Sequence, residues 1–195
     1  MRPDIFVGTL ARTRFGDAFN FYARGAGAAR RRRRLEAYLE ARAGAGILLV
    51  GEAPGYRGAR VSGIPFTSER QLSGAGPAEA TATVVHRVLE QLGLAAEVLL
   101  WNAVPAHPHR PGVPCSNRRP TRAEVDAGRP FLAKLAEGRH VIPVGRVAGE
   151  ALGLPWIRHP SRGGASAFAE GLRERARLLH SASGGRVVRR FSVES

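Results

Sequence analysis

The sequence predicts an α/β protein: a three-layer α/β/α sandwich around a central, mainly parallel four-stranded sheet. Three observations lead there: short apolar runs bounded by Gly, Pro or polar residues, amphipathic helical stretches between them, and Gly- and Pro-rich loops where the runs end. Apolar runs without alternation suit strands covered on both faces. Strand alternating with helix builds the sandwich, and in such sheets ligands bind beyond the strand C-termini.

In chain order, the N-terminus MRPDIFVGTL lacks a basic region followed by an apolar stretch, so no export signal is expected. Arg30 to Ala43 is the first predicted helix, with Leu35, Tyr38 and Leu39 on one face. The run Arg30 to Arg34 opens it and reads either as a solvated helix face or as a phosphate contact. Ile47 to Val50 is the first strand. Pro77 to Leu92 is helical, with Val84, Val85, Val88, Leu89 and Leu92 at three- and four-residue spacing, and Val98 to Trp101 is the second strand. Thr121 and Glu124 have capping-box spacing and open a helix with Phe131, Leu132 and Leu135 as its buried stripe, ended by Gly138. His140 to Val144 is the third strand, a helix begins near Gly145, and the fourth strand ends at Trp156 and Ile157. Ala165 to Leu179 is the last helix, with Phe168, Leu172 and Leu179 inward. The tail Ser181 to Ser195 is expected either to add an edge strand through Val187 and Val188 or to be mobile.

With 195 residues, 44% hydrophobic and 24% charged, the chain reads as one globular domain over 1–195, its motif-bearing core at about 45–180. Lys and Arg number 30 against 16 Asp and Glu, a net charge of +14 that makes a polyanion the first partner to consider. Only Lys134 among the basic residues is a lysine, a skew that GC-rich codon usage also produces. Cys115 is the single cysteine, which excludes an internal disulfide, a multi-thiolate zinc site and a Cys-ligated iron–sulfur cluster, and fits a reducing cytoplasm. No window approaches the roughly 18 apolar residues of a membrane span. A cytoplasmic monomer without metal or cofactor is the expectation.

Three loops follow the strand ends: Gly51 to Gly76, Asn102 to Pro120 and His159 to Gly164. The first reads Gly51-Glu52-Ala53-Pro54-Gly55-Tyr56-Arg57-Gly58 and continues to Gly63-Ile64-Pro65-Phe66. It resembles the first motif of the uracil-DNA glycosylase superfamily, a Gly-x-x-Pro turn followed by Gly-x-x-Phe. Leu99-Leu100-Trp101-Asn102 is similar to the strand end that carries that family's uracil-reading Asn, and His159-Pro160-Ser161 to its second catalytic motif. Asn117 to Glu124, Pro130-Phe131-Leu132 and Val144-Gly145-Arg146 resemble its middle segment, so the likeness spans about Gly51 to Gly171. Motifs in order, each at a predicted strand end, are far more specific than any one string.

The resemblance implies a DNA-repair enzyme of base excision, which flips uracil from the stack and hydrolyses its N-glycosidic bond. Gly51, Ala53, Pro54 and Gly55 would form the pocket wall and Phe66 its stacking face, a residue whose spacing alone suits a core Phe equally well. Asn102 would read O4 and N3–H, although an Asn at a strand end also caps turns. His159 would stabilise negative charge at O2. Many members carry Asp or Asn third in the first turn; Ala53 stands there, so the usual water-handling side chain is missing. Glu69, 18 residues after Gly51, matches the Asp of a branch lacking that polar residue and is the first candidate, with Glu52 the second. The GEAPG string is that of the iron–sulfur branch, but its cysteines are missing. Arg162-Gly163-Gly164-Ala165 replaces the usual Pro and bulky wedge after Ser161, which implies a preference for single strands or mismatches. Arg57, Arg60, Ser161 and Arg162 are the expected DNA contacts, joined by arginines of the middle loop. Tyr56 either excludes the thymine methyl or packs beneath its loop. Lys134, on a helix away from the motifs, is no candidate nucleophile. Two other readings stay open: excision of hypoxanthine or xanthine, and a catalytically silent DNA-binding protein.

Overall fold

In the computed structural model, which describes residues 1–183, three parallel strands form the sheet in the order β2-β1-β3. They are β1 (Ile47–Gly51), β2 (Val98–Asn102) and β3 (His140–Pro143). Leu49 is in register with Leu100 on one side and Ile142 on the other. Every residue of β1 and β2 is buried, which is why these segments read as unbroken apolar runs.

Alternate side chains of β1 feed two cores, as the two-residue period of a strand requires. Leu48 and Val50 join Trp101 under α1 (Pro3–Arg12), α2 (Ala28–Ala41) and α6 (Arg122–Ala136). Ile47 and Leu49 join Val85, Val88 and Leu89 of α5 (Ala80–Gln91) and Phe168 and Leu172 of α8 (Ala165–Ser183). Short helices α3 (Ala59–Ser62) and α4 (Glu69–Ser73) lie in the long loop after β1, and α7 (Arg146–Leu152) follows β3. The expected capping box is present: the Glu124 backbone N–H donates to the Thr121 hydroxyl, and the Thr121 N–H donates to the Glu124 carboxylate.

Two features correct the sequence reading. The fourth strand is reduced to a single parallel bridge, Val144 with Ile157, held by Ile157 N–H to the Pro143 carbonyl at 3.0 Å and Gly145 N–H to the Ile157 carbonyl at 2.8 Å. Pro155 has no N–H to extend the ladder, and Arg158 turns the chain into the third loop. The second is α1, which the reading left out although Pro3 at its first turn, Asp4 beside it and the Phe6, Val7, Leu10 spacing are helix signals. Its Phe6 packs edge-on to both Trp101 and Phe131, at 5.6 and 5.4 Å between ring centres.

The arginine run now has a structural account. Arg31 is buried, donates from Nε to the Phe21 carbonyl at 2.7 Å and lies over the Phe21 ring. Arg32 donates to the Tyr22 carbonyl at 2.6 Å, and Arg34 forms a two-pronged ion pair with Glu69 at 2.7 and 2.9 Å. The run therefore ties α2 to the segment before it and to α4, while Arg30 and Arg33 face solvent. Most of the C-terminal tail, including Val187 and Val188, lies outside the described residues. Among the described residues no helix is long and apolar enough to cross a membrane.

Candidate active site

The strand C-termini open onto a cavity of about 580 Å³. Its wall contains Gly51, Glu52, Ala53, Pro54 and Gly55 from the loop after β1, Phe66 further along it, Asn102 at the end of β2, and His159, Ser161 and Arg162 from the loop after the Ile157 bridge. Segments more than a hundred residues apart in the chain, from Gly51 to Arg162, thus converge where an open α/β sheet places ligands.

Phe66 lies on β1 itself. A side chain at Gly51 would collide with the Phe66 ring and come within 2.9 Å of Asn102 Oδ1, so only glycine lets the ring and the amide meet there. Phe66 has φ of 52°, a region costly for a bulky residue and held only by the structure around it. Buried Ser62 supplies that support: its hydroxyl donates to the Thr67 carbonyl at 2.6 Å and accepts from the Ile64 N–H at 3.1 Å. The Tyr22 hydroxyl donates to the Gly63 carbonyl at 2.8 Å. Phe66 is largely buried, yet its ring forms cavity wall.

Asn102 is buried at the strand end, and its amide has no hydrogen-bond partner among the described residues. It caps no turn, so both the donor and the acceptor of the amide remain uncommitted at the cavity. His159 is held through one ring nitrogen. The Ser161 backbone N–H donates to Nδ1 at 3.1 Å, and the Ser161 hydroxyl lies 2.8 Å from the same atom. Nδ1 is therefore an acceptor, which puts the proton of the neutral ring on Nε2. Burial, reinforced by the Arg158 charge, pushes the His159 pKa down and keeps that neutral form at pH 7.

The carboxylates are placed differently from the sequence expectation. Glu69 does not line the cavity: as the first residue of α4 it is clamped by Arg34, which holds its carboxyl below the usual range. Its spacing after Gly51 matched, but its charge is already used between α2 and α4. Glu52 does line the cavity; burial raises its pKa, opposed by the Arg119 charge. A third carboxylate, Glu79, lines the cavity as well, and burial raises it too. Sequence reasoning missed it because nothing in Leu72 to Ala80 marks it out.

The basic residues divide. Arg158 and Arg162 are exposed and line the cavity, Arg162 with φ of 52°. Arg57 and Arg60 do not line it: Arg57 lies over the Tyr56 ring at 5.2 Å, and Arg60 donates to the Tyr56 carbonyl at 3.4 Å. Tyr56 does not line it either, and its N–H donates to the Asn117 side-chain oxygen at 3.1 Å. Arg118 and Arg146 line the cavity too, but are paired with Glu124 and Glu150. Buried His107, for which the sequence held no signal, has Nδ1 2.8 Å from the Pro54 carbonyl and so braces the first turn. Among the described residues no three His, Cys, Asp or Glu side chains gather as a metal site.

The profile of the Uracil DNA glycosylase superfamily matches residues 40–186. The chain belongs to the uracil DNA glycosylase superfamily. That match takes in β1 to β3 and every segment named above in the cavity wall. Among solved structures, wild-type SMUG2 of Pedobacter heparinus superposes with a TM-score of 0.66 at 13% identity, over 93% of this chain and 99% of that one. At that identity the likeness is one of fold. A search of curated proteins returns no match.

Proposed function

We propose that this protein is a monofunctional DNA glycosylase that hydrolyses the bond between uracil and deoxyribose in DNA and leaves an abasic site, acting as a monomer. The observation that supports it most is the meeting of Phe66, Asn102 and His159 at one cavity, with the Asn102 amide and the His159 Nε2–H uncommitted. A flipped uracil stacks on the Phe66 ring, and its O4 and N3–H match the donor and acceptor of Asn102. Cytosine would set its amino group and bare N3 against like partners, leaving buried polar atoms unpaired. As the glycosidic bond lengthens, charge grows on O2, where a fixed neutral donor from His159 acts on the transition state rather than on bound substrate. Loss of one such donor costs about 10²–10³ in rate.

The rim supports the strand preference. Arg158 and Arg162 bring positive charge to the cavity mouth for phosphates, and no bulky apolar wedge follows Ser161. Opening a stable base pair is therefore left largely to the substrate. Uracil release is measured on single-stranded DNA, on U·G and on U·A duplexes by alkaline cleavage at the abasic site. Release is expected to be faster from the single strand and the mismatch than from U·A, and Asn102→Ala is expected to abolish all three. No release from any substrate at enzyme excess overturns the reading in favour of a silent binding protein. Hypoxanthine or xanthine release that survives Asn102→Ala would instead mark a purine enzyme.

A further inference from the structure

Ala53 leaves the first turn without a group to handle the attacking water, and Glu69 is committed elsewhere. The cavity nevertheless holds a carboxylate suited to the task. Glu79 is the residue just before α5, where a side chain commonly caps the helix, yet its carboxylate makes no capping bond. Among the described residues the carboxylate has no hydrogen bond and no ion pair; only the Glu79 backbone carbonyl is engaged, by Thr83. It lies instead against the bare backbone of the first motif: a side chain on Gly58 would run into the Glu79 carboxylate, and one on Gly55 would come within 2.9 Å of Glu79 Oε1. Gly55 is two residues from Ala53, so the free carboxylate flanks the turn whose own polar side chain is missing.

We infer that Glu79 is the catalytic carboxylate that positions and deprotonates the attacking water, a role that rests on the glycosylase reading above. The C1′–N1 bond breaks with its electron pair leaving on uracil, whose O2 charge His159 Nε2–H stabilises. The water oxygen forms the new bond to C1′, and its proton passes to the Glu79 carboxylate. That proton then leaves to solvent as the uracil anion takes one up, so the products are uracil and an abasic sugar hydroxyl. The alternative within the cavity is Glu52, but the charge of Arg119 acts on that carboxylate. Burial acts on Glu79 with no cation opposing it, which raises its pKa and suits it to take a proton, and it is Glu79 that lies against the bare backbone of Gly55 and Gly58.

Single-turnover release of uracil from single-stranded DNA, at saturating enzyme and across the acid range, tests the inference with wild type, Glu79→Gln and Glu52→Gln. The expected result for Glu79→Gln is a rate at least about 10²-fold below wild type with DNA affinity within about threefold, as loss of a general base predicts. The wild-type rate should fall as pH drops through a pKa above the ordinary carboxyl range, because protonation removes the base. That acid limb should persist in Glu52→Gln and be missing from the residual activity of Glu79→Gln. A rate for Glu79→Gln near that of wild type, or an acid limb that disappears in Glu52→Gln, overturns the assignment while leaving the glycosylase reading intact. An inactive wild type overturns both. If Glu79→Gln does not fold, the profiles of wild type and Glu52→Gln decide alone, and a wild-type profile without that limb refutes the role.

Discussion

Glu69 and Glu79 stand ten residues apart in the sequence, and the regions they occupy treat a carboxylate in opposite ways. At the junction of α2 and α4 the charges answer one another: Arg34 grips Glu69 with both prongs, and Arg31 and Arg32 are spent on carbonyls of the preceding segment. At the cavity several charges are left open: the Glu52 and Glu79 carboxylates have no hydrogen-bonded partner among the described residues, and Arg158 and Arg162 face solvent, while Arg118 and Arg146 on the same wall pair with Glu124 and Glu150. A paired charge contributes to stability through its partner and has little left for substrate. An unpaired, half-buried one costs stability and stays available, which is the usual arrangement of a functional site.

The largest effect expected from this contrast is a change of opposite sign in two measurements on one variant. Glu79→Gln lowers the rate of uracil release about 10²-fold or more, and the same variant should be more stable than wild type at pH 8. The sign follows from burial. Because the folded protein raises the Glu79 pKa, it holds that proton more tightly than the unfolded chain does. The stability this contributes is complete below the unfolded pKa and is lost as pH rises through the folded one. Gln cannot ionise, so its advantage should be greatest at pH 8 and shrink toward pH 4.5, which thermal melts across that range would reveal. A melting temperature lowered at pH 8 would make Glu79 a prop of the first turn and break the contrast.

Glu69→Gln should do the reverse at smaller scale. Its pKa is lowered, chiefly by the Arg34 hydrogen bonds, so its stabilisation is present above the unfolded pKa and lost as pH falls through the folded one. Both side chains are partly shielded, 24% exposed for Arg34 and 12% for Glu69. Breaking such a pair at pH 7 costs about 1–2 kcal/mol, with the rate of uracil release kept. For a chain of this length that is a fall of roughly 3–6 °C in Tm.

These two carboxylates also show how far the sequence could be read. The strands were legible because parallel strands covered on both faces carry unbroken apolar runs, and α6 because Thr121 and Glu124 announce its cap. Phe66, Asn102 and His159 were legible through motif order, and the fold brings all three to one cavity. Position along the chain is a poor guide to a carboxylate's partner. Glu69 matched a family spacing, but what decides its state is Arg34, 35 residues away on another helix. Glu79 stands at the start of the helix predicted over Pro77 to Leu92 and belongs to no motif, and what distinguishes it is the glycine backbone it meets across the cavity. The run Arg30 to Arg34 was opaque for the same reason: composition counts charges and says nothing of carbonyls that take up guanidinium donors. The fourth strand was overdrawn because an apolar pair before a loop does not disclose that only Ile157 finds a partner.

The smallest effect expected concerns the arginines left over in each region. Arg33 on α2 and Arg158 at the cavity are both exposed, and neither forms an ion pair among the described residues. If the cavity rim is the DNA surface, Arg158 neutralises a phosphate and releases a counterion, whereas Arg33 faces bulk solvent on the other region. Arg158→Ala should therefore weaken binding to uracil-containing single strands and reduce the slope of log affinity against log salt by about 0.7. Arg33→Ala should leave that slope unchanged and stability within about 0.5 kcal/mol. Equal slopes for the two variants, both below wild type, would extend the DNA path across α2. The division between a region where charge holds the fold together and one where it meets substrate would then give way to a single basic surface.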